Sequence, residues 1–439
     1  MVLLSVKRNR RNPMSAETLA LLGGDPVGEI KAPQHPSFSP KAVERVKSLL
    51  ERGVTVGLNK SCLEIEEAER AISEWQAVKY CLGTASGHGA LHSALIGLEI
   101  TSGDEVITTP FTWGASTSCI LHNNAIPVFA DTDPITGLID PKSVEERITA
   151  KTRCILVVHL FGQAVDMTSI CKIAKKHGLV VIEDGSQAHG ALHKLKKVGT
   201  FGDAAGFSCM GAKLLATSEA GYMVTPHEEV YWKASMGGQH MGRSPESGFP
   251  ADLREYADSL VFTYRLSPIN AVLLVEQLKK VDEEIAGRRT NVGRLKSGLS
   301  RVKSILFPVY GEGDVPSYHL ITMSFVPEIA EISRDTYIKA LNAEGVPIFA
   351  YVPAAIPRWP RMQWQGYRGP RVMWTETLKR HGVDYSSVDI PNCEYKVSHS
   401  LEMGFNHTTT DDGSIDHITE AFLKVEANLT QLREWERSR

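Results

Sequence analysis

Four short stretches carry residue types that packing alone does not explain. In FSCMGAKLLATSEAGYMVT, residues 207–225, the one basic residue is Lys213, set between small residues and a leucine pair. Such a lysine either snorkels to solvent or is held as an amine for chemistry. In VVIEDGSQAHGA, residues 180–191, Asp184 ends an apolar run and is followed by Gln187 and His189. A carboxylate there needs a partner to be worth burying; without one, Asp184 reads as a helix N-cap and Gln187 as a loop residue. In TTPFTWGAST, residues 108–117, Trp113 follows an apolar run and a proline. Its flat face suits stacking on an aromatic ligand, or packing between domains. In TASGHGALHSAL, residues 84–95, Ser86, Gly87, His88 and Gly89 precede a helical pattern. Small residues at a helix start leave N–H groups open to a phosphate, or simply make a tight turn capped by Ser86.

Taken together, the four stretches narrow one another. A phosphate cradle, a stacking aromatic, an acid for a ring nitrogen and a lysine amine are the fittings for pyridoxal 5′-phosphate (PLP), which takes a lysine and an acidic partner for its pyridinium nitrogen. Asp184 would keep the ring nitrogen protonated, and Lys213 would bind the aldehyde and later move protons. Ser208 and Glu219 flank the lysine on neighbouring apolar runs.

The elements that must position these residues are legible as alternation. Strands are expected at Val78–Thr84, Glu105–Thr109, Ile126–Ala130, Cys154–Leu160, Val180–Glu183, Ala205–Ser208 and Tyr222–Thr225. Helices are expected at Gly89–Leu98, Pro141–Ile148 and Asp166–Lys176. Short Val/Ile-rich runs between helical patterns imply an α/β fold: a mostly parallel sheet covered on both faces, with ligands at the carboxyl ends of the strands. Ala271, Leu274, Leu278, Val281 and Ile285 recur at helical spacing and predict one long amphipathic helix to about residue 300. The expected division is a flexible extension over 1–20, a large domain over 21–285 and a smaller α+β domain over 286–439. Residues 1–13, ahead of Met14, read as a disordered extension or an upstream start.

Composition excludes several classes. The 439 residues are 42% hydrophobic and 23% charged with net charge −3, so no basic excess points to nucleic acid. The longest apolar runs are far short of the roughly 20 residues a membrane span takes. The basic cluster near the start follows its apolar residues, which is not a secretory signal, so the expected location is cytoplasmic. Seven scattered cysteines without CxxC spacing predict free thiols and no zinc site.

GDEVITTPFTW, PVFADTDPITGLIDP, ILVVHLFGQAVDM, VIEDGSQAHGA, FSCMGAKLLATSEAGYMVT and FTYRLSPINAVLLVEQL occur in this order. Over about residues 20–430 the chain resembles the DegT/DnrJ/EryC1/StrS family of sugar aminotransferases. The resemblance implies a fold-type-I (aspartate aminotransferase-like) architecture, PLP, and a homodimer with shared active sites. It assigns Lys213 as the Schiff-base lysine, Asp184 as the pyridinium partner and Gln187 as a contact to the ring hydroxyl. Trp113 becomes the stacking aromatic, Ser208 a phosphate ligand, and the Gly87–His88 backbone the phosphate loop. The chain departs from the pattern in three places. His88 stands where threonine is usual, so a hydroxyl contact is lost or replaced by imidazole; Ser218-Glu219-Ala220-Gly221 replaces a glycine-rich turn; Thr263 replaces an asparagine that reaches the partner's phosphate.

The function expected on these grounds is transfer of an amino group from L-glutamate or L-glutamine to a keto-sugar or keto-cyclitol, with PLP cycling through pyridoxamine 5′-phosphate. ETLALLGGDPV and RDTYIKALNAEGVPIFAYVPAAIPRWP resemble the aminocyclitol and aminohydroxybenzoate-synthase branch, which implies antibiotic-type secondary metabolism. Two alternatives are a PLP- or pyridoxamine-phosphate-dependent sugar dehydratase of the same family, which carries histidine in place of Lys213, and a non-catalytic PLP-fold regulator. Asn59, Tyr351 and Arg358 are candidate substrate contacts, and His189 a supporting group rather than an acid or base.

Overall fold

A computed structural model describes residues 18–439 except 29, 32, 58–61, 371 and 409–412, and the side chain of His240. Its centre is a seven-stranded sheet of β1 (Tyr80–Thr84), β2 (Glu105–Thr108), β3 (Ile126–Phe129), β4 (Thr152–Val158), β5 (Val180–Asp184), β6 (Ala204–Ser208) and β7 (Gly221–Thr225). The spatial order is β1-β7-β6-β5-β4-β2-β3, and β7 alone is antiparallel to its neighbours. All seven strands lie where the apolar runs predict them. Ile155, Leu156 and Val157 are consecutive and all inaccessible, as burial of both sheet faces requires.

Helices cover those faces. α1 (Gly87–Gly97) is buried along nearly its whole length and packs between sheet and outer helices, so its sequence is apolar all round. α2 (Ala115–His122) follows β2, and α3 (Met167–His177) follows β4. The limits of α3 come from local chemistry. Asp166 caps it by accepting from Ser169 N, worth about 1 kcal/mol; Lys175, Lys176 and His177 sit in the last turn, and Gly178 ends it in a left-handed conformation.

The single long helix expected to residue 300 is two: α4 (Pro268–Leu278) and α5 (Val281–Gly298). Lys280 leaves helical geometry at φ −123°, while Leu278 and Val281 both still pack on the same core. The apolar period therefore runs across a backbone break that it cannot report. Beyond α5, Ile305–Leu306, Leu320–Phe325, Ser400–Gly404 and Ile348–Phe349 form a four-stranded antiparallel sheet in that order. Its core includes Phe325, Tyr337 and Phe422.

The N-terminal segment differs from expectation. Leu19, placed in a flexible extension, is fully buried, and Leu21, Leu22, Val27 and Ile30 join it in the core of the C-terminal sheet rather than that of the large sheet. Glu344 anchors the segment by accepting from Ala20 N and Val27 N. All seven cysteines are free thiols. Among the described residues no helix is long and apolar enough to cross a membrane, and no cluster of His, Cys, Asp and Glu could hold a metal.

Candidate active site

The carboxyl ends of β1, β2, β5 and β6 open on one cavity of about 550 Å³. Gly87, His88, Trp113, Asp184, Gln187, Ser208 and Lys213 all line it, so the structure brings every one of these residues, far apart in sequence, to one place. The C-terminal region closes the other side with His319, Tyr351 and Asn406.

One end is built from backbone. Ser86 caps α1 through its side chain, accepting from Gly89 N, while Gly87 N and His88 N have no hydrogen-bond partner among the described residues. Two free N–H groups at a helix start suit an anion. The cradle depends on close approach: a Cβ on Gly87 would lie 2.5 Å from Ser208 Cβ and 2.9 Å from its Cα. Gly221 meets the backbone of Ser86 equally closely, which makes it the indispensable glycine of the altered turn. Ala220 is fully buried, and Ser218 is tied to Asn270, which in turn donates to Glu219 O. The serine and alanine thus hold the turn from behind.

The imidazole of His88 does not replace a hydroxyl contact. Its Nδ1 pairs with Ser118 Oγ at 3.3 Å and its Nε2 with His122 Nδ1 at 2.9 Å, both on α2. Burial, and then the neighbouring His122, push its pKa down to about 4, so the ring is neutral. Only the His88 backbone remains for a phosphate.

At the cavity floor, Asp184 is buried and accepts from Ser116 Oγ at 2.6 Å and from Ser186 N at 3.0 Å. Its neighbour Glu183 points the other way and accepts from Gly199, Phe201 and Gly202 N and from His159. These bonds fix the strand end, and burial is outweighed so that the Glu183 pKa is lowered. Gln187 is held at both ends: Phe161 N donates to its Oε1, and its Nε2 donates to the Tyr351 hydroxyl. Phe161 adopts φ 60° to do this, strain of the kind kept at functional sites. Burial raises the Tyr351 phenol to about 12, and Tyr351 N donates to buried Glu402. Trp113 is 63% exposed at the cavity mouth, with its ring centroid 6.3 Å from that of Tyr351.

Lys213 stands opposite. Its Nζ has no hydrogen-bond or ion-pair partner among the described residues, and burial lowers its pKa, opposed by the charge of Asp184. His189 lies behind it, fully buried, its Nε2 3.9 Å from Cys209 Sγ and its Nδ1 unpartnered. Its pKa falls to about 3, chiefly through burial, which leaves a neutral packing group.

Arg358 is a correction. Its guanidinium is spent on Glu394 and on the carbonyls of Tyr385, Ser386 and Val388, away from the cavity. Asn59 lies outside the described residues, and Thr263 is exposed away from the cavity. Sequence reasoning missed Ser116, His319 and Asn406. Ser116 sits in the quoted stretch TTPFTWGAST, three residues beyond Trp113, and that was its only available signal.

The site fits PLP. It has a phosphate cradle that added Cβ atoms would fill, an orphaned amine, a buried carboxylate and an uncovered indole. The sequence profile of the DegT/DnrJ/EryC1/StrS aminotransferase family matches residues 39–384. The chain belongs to that family. An L-glutamine:2-deoxy-scyllo-inosose aminotransferase of Streptoalloteichus tenebrarius is 31% identical over 94% of this chain and 99% of its own length. A GDP-perosamine synthase of Caulobacter vibrioides is 35% identical over 65% of this chain and 76% of its own. Among solved structures, an aminotransferase from Psychrobacter cryohalolentis superposes with TM-score 0.79 at 28% identity, covering 91% of this aminotransferase and all of that chain. The architecture is therefore that of fold-type-I PLP aminotransferases.

Proposed function

We propose that this aminotransferase uses PLP to move the amino group of L-glutamine onto a keto-cyclitol. The observation that carries the reading is Lys213: a buried, unpaired amine facing Asp184 across a cavity that has a phosphate cradle at one end. The names of full-length relatives support glutamine and a cyclitol ketone as the substrate pair. The resemblance of residues 334–360 to the aminocyclitol and aminohydroxybenzoate-synthase branch supports the same acceptor over a nucleotide-sugar.

PLP, when bound, supplies an aldehyde for amines and a ring that takes up the electrons of a carbanion. The chain supplies the rest. Gly87 and His88 N–H groups with Ser208 would hold the phosphate, Trp113 would cover the ring, and Gln187 has one Nε2 hydrogen left for the ring hydroxyl. Asp184, fixed by Ser116 and Ser186, would keep a proton on the ring nitrogen. Lys213, its pKa lowered by burial, would act as the base at the donor's α-carbon. Overall, glutamine gives up its amino group and takes an oxygen from water to become its 2-oxo acid, and the amino group then replaces the ketone oxygen, which departs as water, so water is neither gained nor lost.

The lysine argues against a family dehydratase, in which histidine stands at this position. A regulator without activity is tested by adding L-glutamine to the yellow PLP-loaded protein: an aminotransferase bleaches and releases the 2-oxo acid, whereas a binding protein stays yellow. We propose a homodimer working in the cytoplasm; Leu260, 91% exposed, and its neighbour Phe262, both apolar on the surface, support a second copy there.

A further inference from the structure

An amino donor brings an ionised carboxylate into the cavity, and something must answer that charge. Among the lining residues the candidates are few. Lys213 is committed to the chemistry, and His88 turns both ring nitrogens to α2. His319 is held neutral by burial and by Lys213 nearby. Among the described residues no arginine lines the cavity.

Directly behind the lining is Arg288 of α5, fully buried. Its Nη2 donates to Asn406 Oδ1 at 3.3 Å, its Nη1 donates to Tyr318 O at 3.3 Å, and its Nε has no partner among the described residues. Among the described residues no carboxylate lies within ion-pair distance of it. A guanidinium this deep without an ion-pair partner is costly: burial lowers its pKa to about 10, and the charge of Glu284, beyond ion-pair distance, opposes this only in part. The same two bonds fix what faces the cavity. Asn406 spends its oxygen on Arg288, so its Nδ2 hydrogens are left to the cavity side, where Asn406 is a lining residue. Tyr318, held at φ 56°, sets the turn that presents His319.

We propose that Asn406, oriented and polarised by Arg288 behind it, is the subsite for the carboxylate of the amino donor. The proposal rests on the reading of the protein as a glutamine-dependent aminotransferase. A neutral, hydroxyl-rich acceptor would gain hydrogen bonds from Asn406 but would bring no negative charge toward Arg288. A carboxylate accepts from Nδ2 and completes the electrostatic balance through it. Asn406 would touch the substrate; Arg288 is a positioning residue.

The test compares two amines on the PLP-loaded protein: L-glutamine, and 4-aminobutanamide, which is glutamine without its carboxylate. For each, the concentration giving half-maximal bleaching is measured in wild type, Asn406→Ala and Asn406→Asp. Loss of charge-assisted bonds is expected to weaken L-glutamine by about tenfold or more in Asn406→Ala, and 4-aminobutanamide by less than about threefold. Asn406→Asp gives Arg288 a carboxylate in contact, so the melting temperature is expected to rise while L-glutamine binding falls further than in the alanine variant. A merely structural role would weaken both amines equally. Equal weakening, or unchanged L-glutamine binding, would overturn the proposal. Arg288→Met and Arg288→Lys add a check, with the lysine variant retaining part of the preference for the carboxylate. A wild type that does not bleach with L-glutamine would instead remove the donor assignment beneath it.

Discussion

Ser116 Oγ donates to Asp184 Oδ2 at 2.6 Å, joining the first turn of α2 to the end of β5 at the cavity floor. Ser116 is itself buried, so the bond is shielded from water. Together with Ser186 N it leaves the carboxylate one orientation, with its remaining lone pairs toward the cavity. The carboxylate that stands out in the sequence is thus aimed by a serine that does not.

Replacing Ser116 by alanine leaves the fold intact and frees the carboxylate to turn. A hydrogen bond to a charged group contributes about 1.5–3 kcal/mol. The expected result is a fall of about tenfold or more in the rate of bleaching by L-glutamine, with the melting temperature nearly unchanged. Stopped-flow absorbance measures the first and calorimetry the second. An unchanged rate would show that Ser186 N alone fixes Asp184.

Gly87→Ala drives a Cβ into the backbone and side chain of Ser208. Neither can yield without spoiling the phosphate cradle, so affinity for PLP is expected to fall by more than about tenfold, with an overpacking cost of about 1–3 kcal/mol in stability. Titration of cofactor-free protein with PLP, and separately with inorganic phosphate, reads this directly. Both affinities should fall together, because the lost contact is to phosphate.

Arg358→Met should leave turnover within about twofold while lowering the melting temperature by a few degrees. The guanidinium ties Glu394 to three backbone carbonyls, and the half-exposed Glu394 partner itself counts for little. Steady-state kinetics beside a thermal melt separate the two effects.

Acid sensitivity follows from the buried imidazoles. His189 has its pKa pushed down to about 3 by burial, and His88 and His92 to about 4, against 6.5 in an unfolded chain. Below pH 6.5 the unfolded chain binds these protons and the native state does not, so stability is lost as pH falls from 6.5 toward 4. Each group contributes about 1.4 kcal/mol per pH unit in that window. Urea midpoints between pH 7 and 5 are expected to fall steeply in the wild type and less steeply in His189→Gln, which removes one group.

Much of this organisation is legible in the chain. All seven strands of the large sheet announce themselves because burial of both faces demands short Val/Ile-rich runs, and function then falls at their carboxyl ends. Lys213, Asp184 and Gln187 stand out because polar groups placed there need a reason. Other features leave no such mark. Lys280 breaks a helix without interrupting its apolar period. Leu19 is buried by a core that forms some 300 residues later, so nothing local distinguishes it from a loose terminus. Arg358 was drawn to a substrate by its charge, whereas carbonyls at residues 385–388 satisfy it. Ser116, His319 and Asn406 are common residue types whose roles come only from what they face.

The most direct test of the central claim is a single turnover read on Lys213. PLP-loaded wild type and Lys213→Ala are mixed with excess L-glutamine, and the 2-oxo acid released per protein chain is counted as the yellow colour decays. Borohydride reduction of untreated wild type, followed by peptide mass measurement, locates the cofactor. The predicted result is one equivalent of 2-oxo acid with full bleaching in the wild type, none in Lys213→Ala, and the cofactor's mass on the peptide holding Lys213. Bleaching by the alanine variant at the wild-type rate, or the cofactor's mass on another lysine, would contradict it.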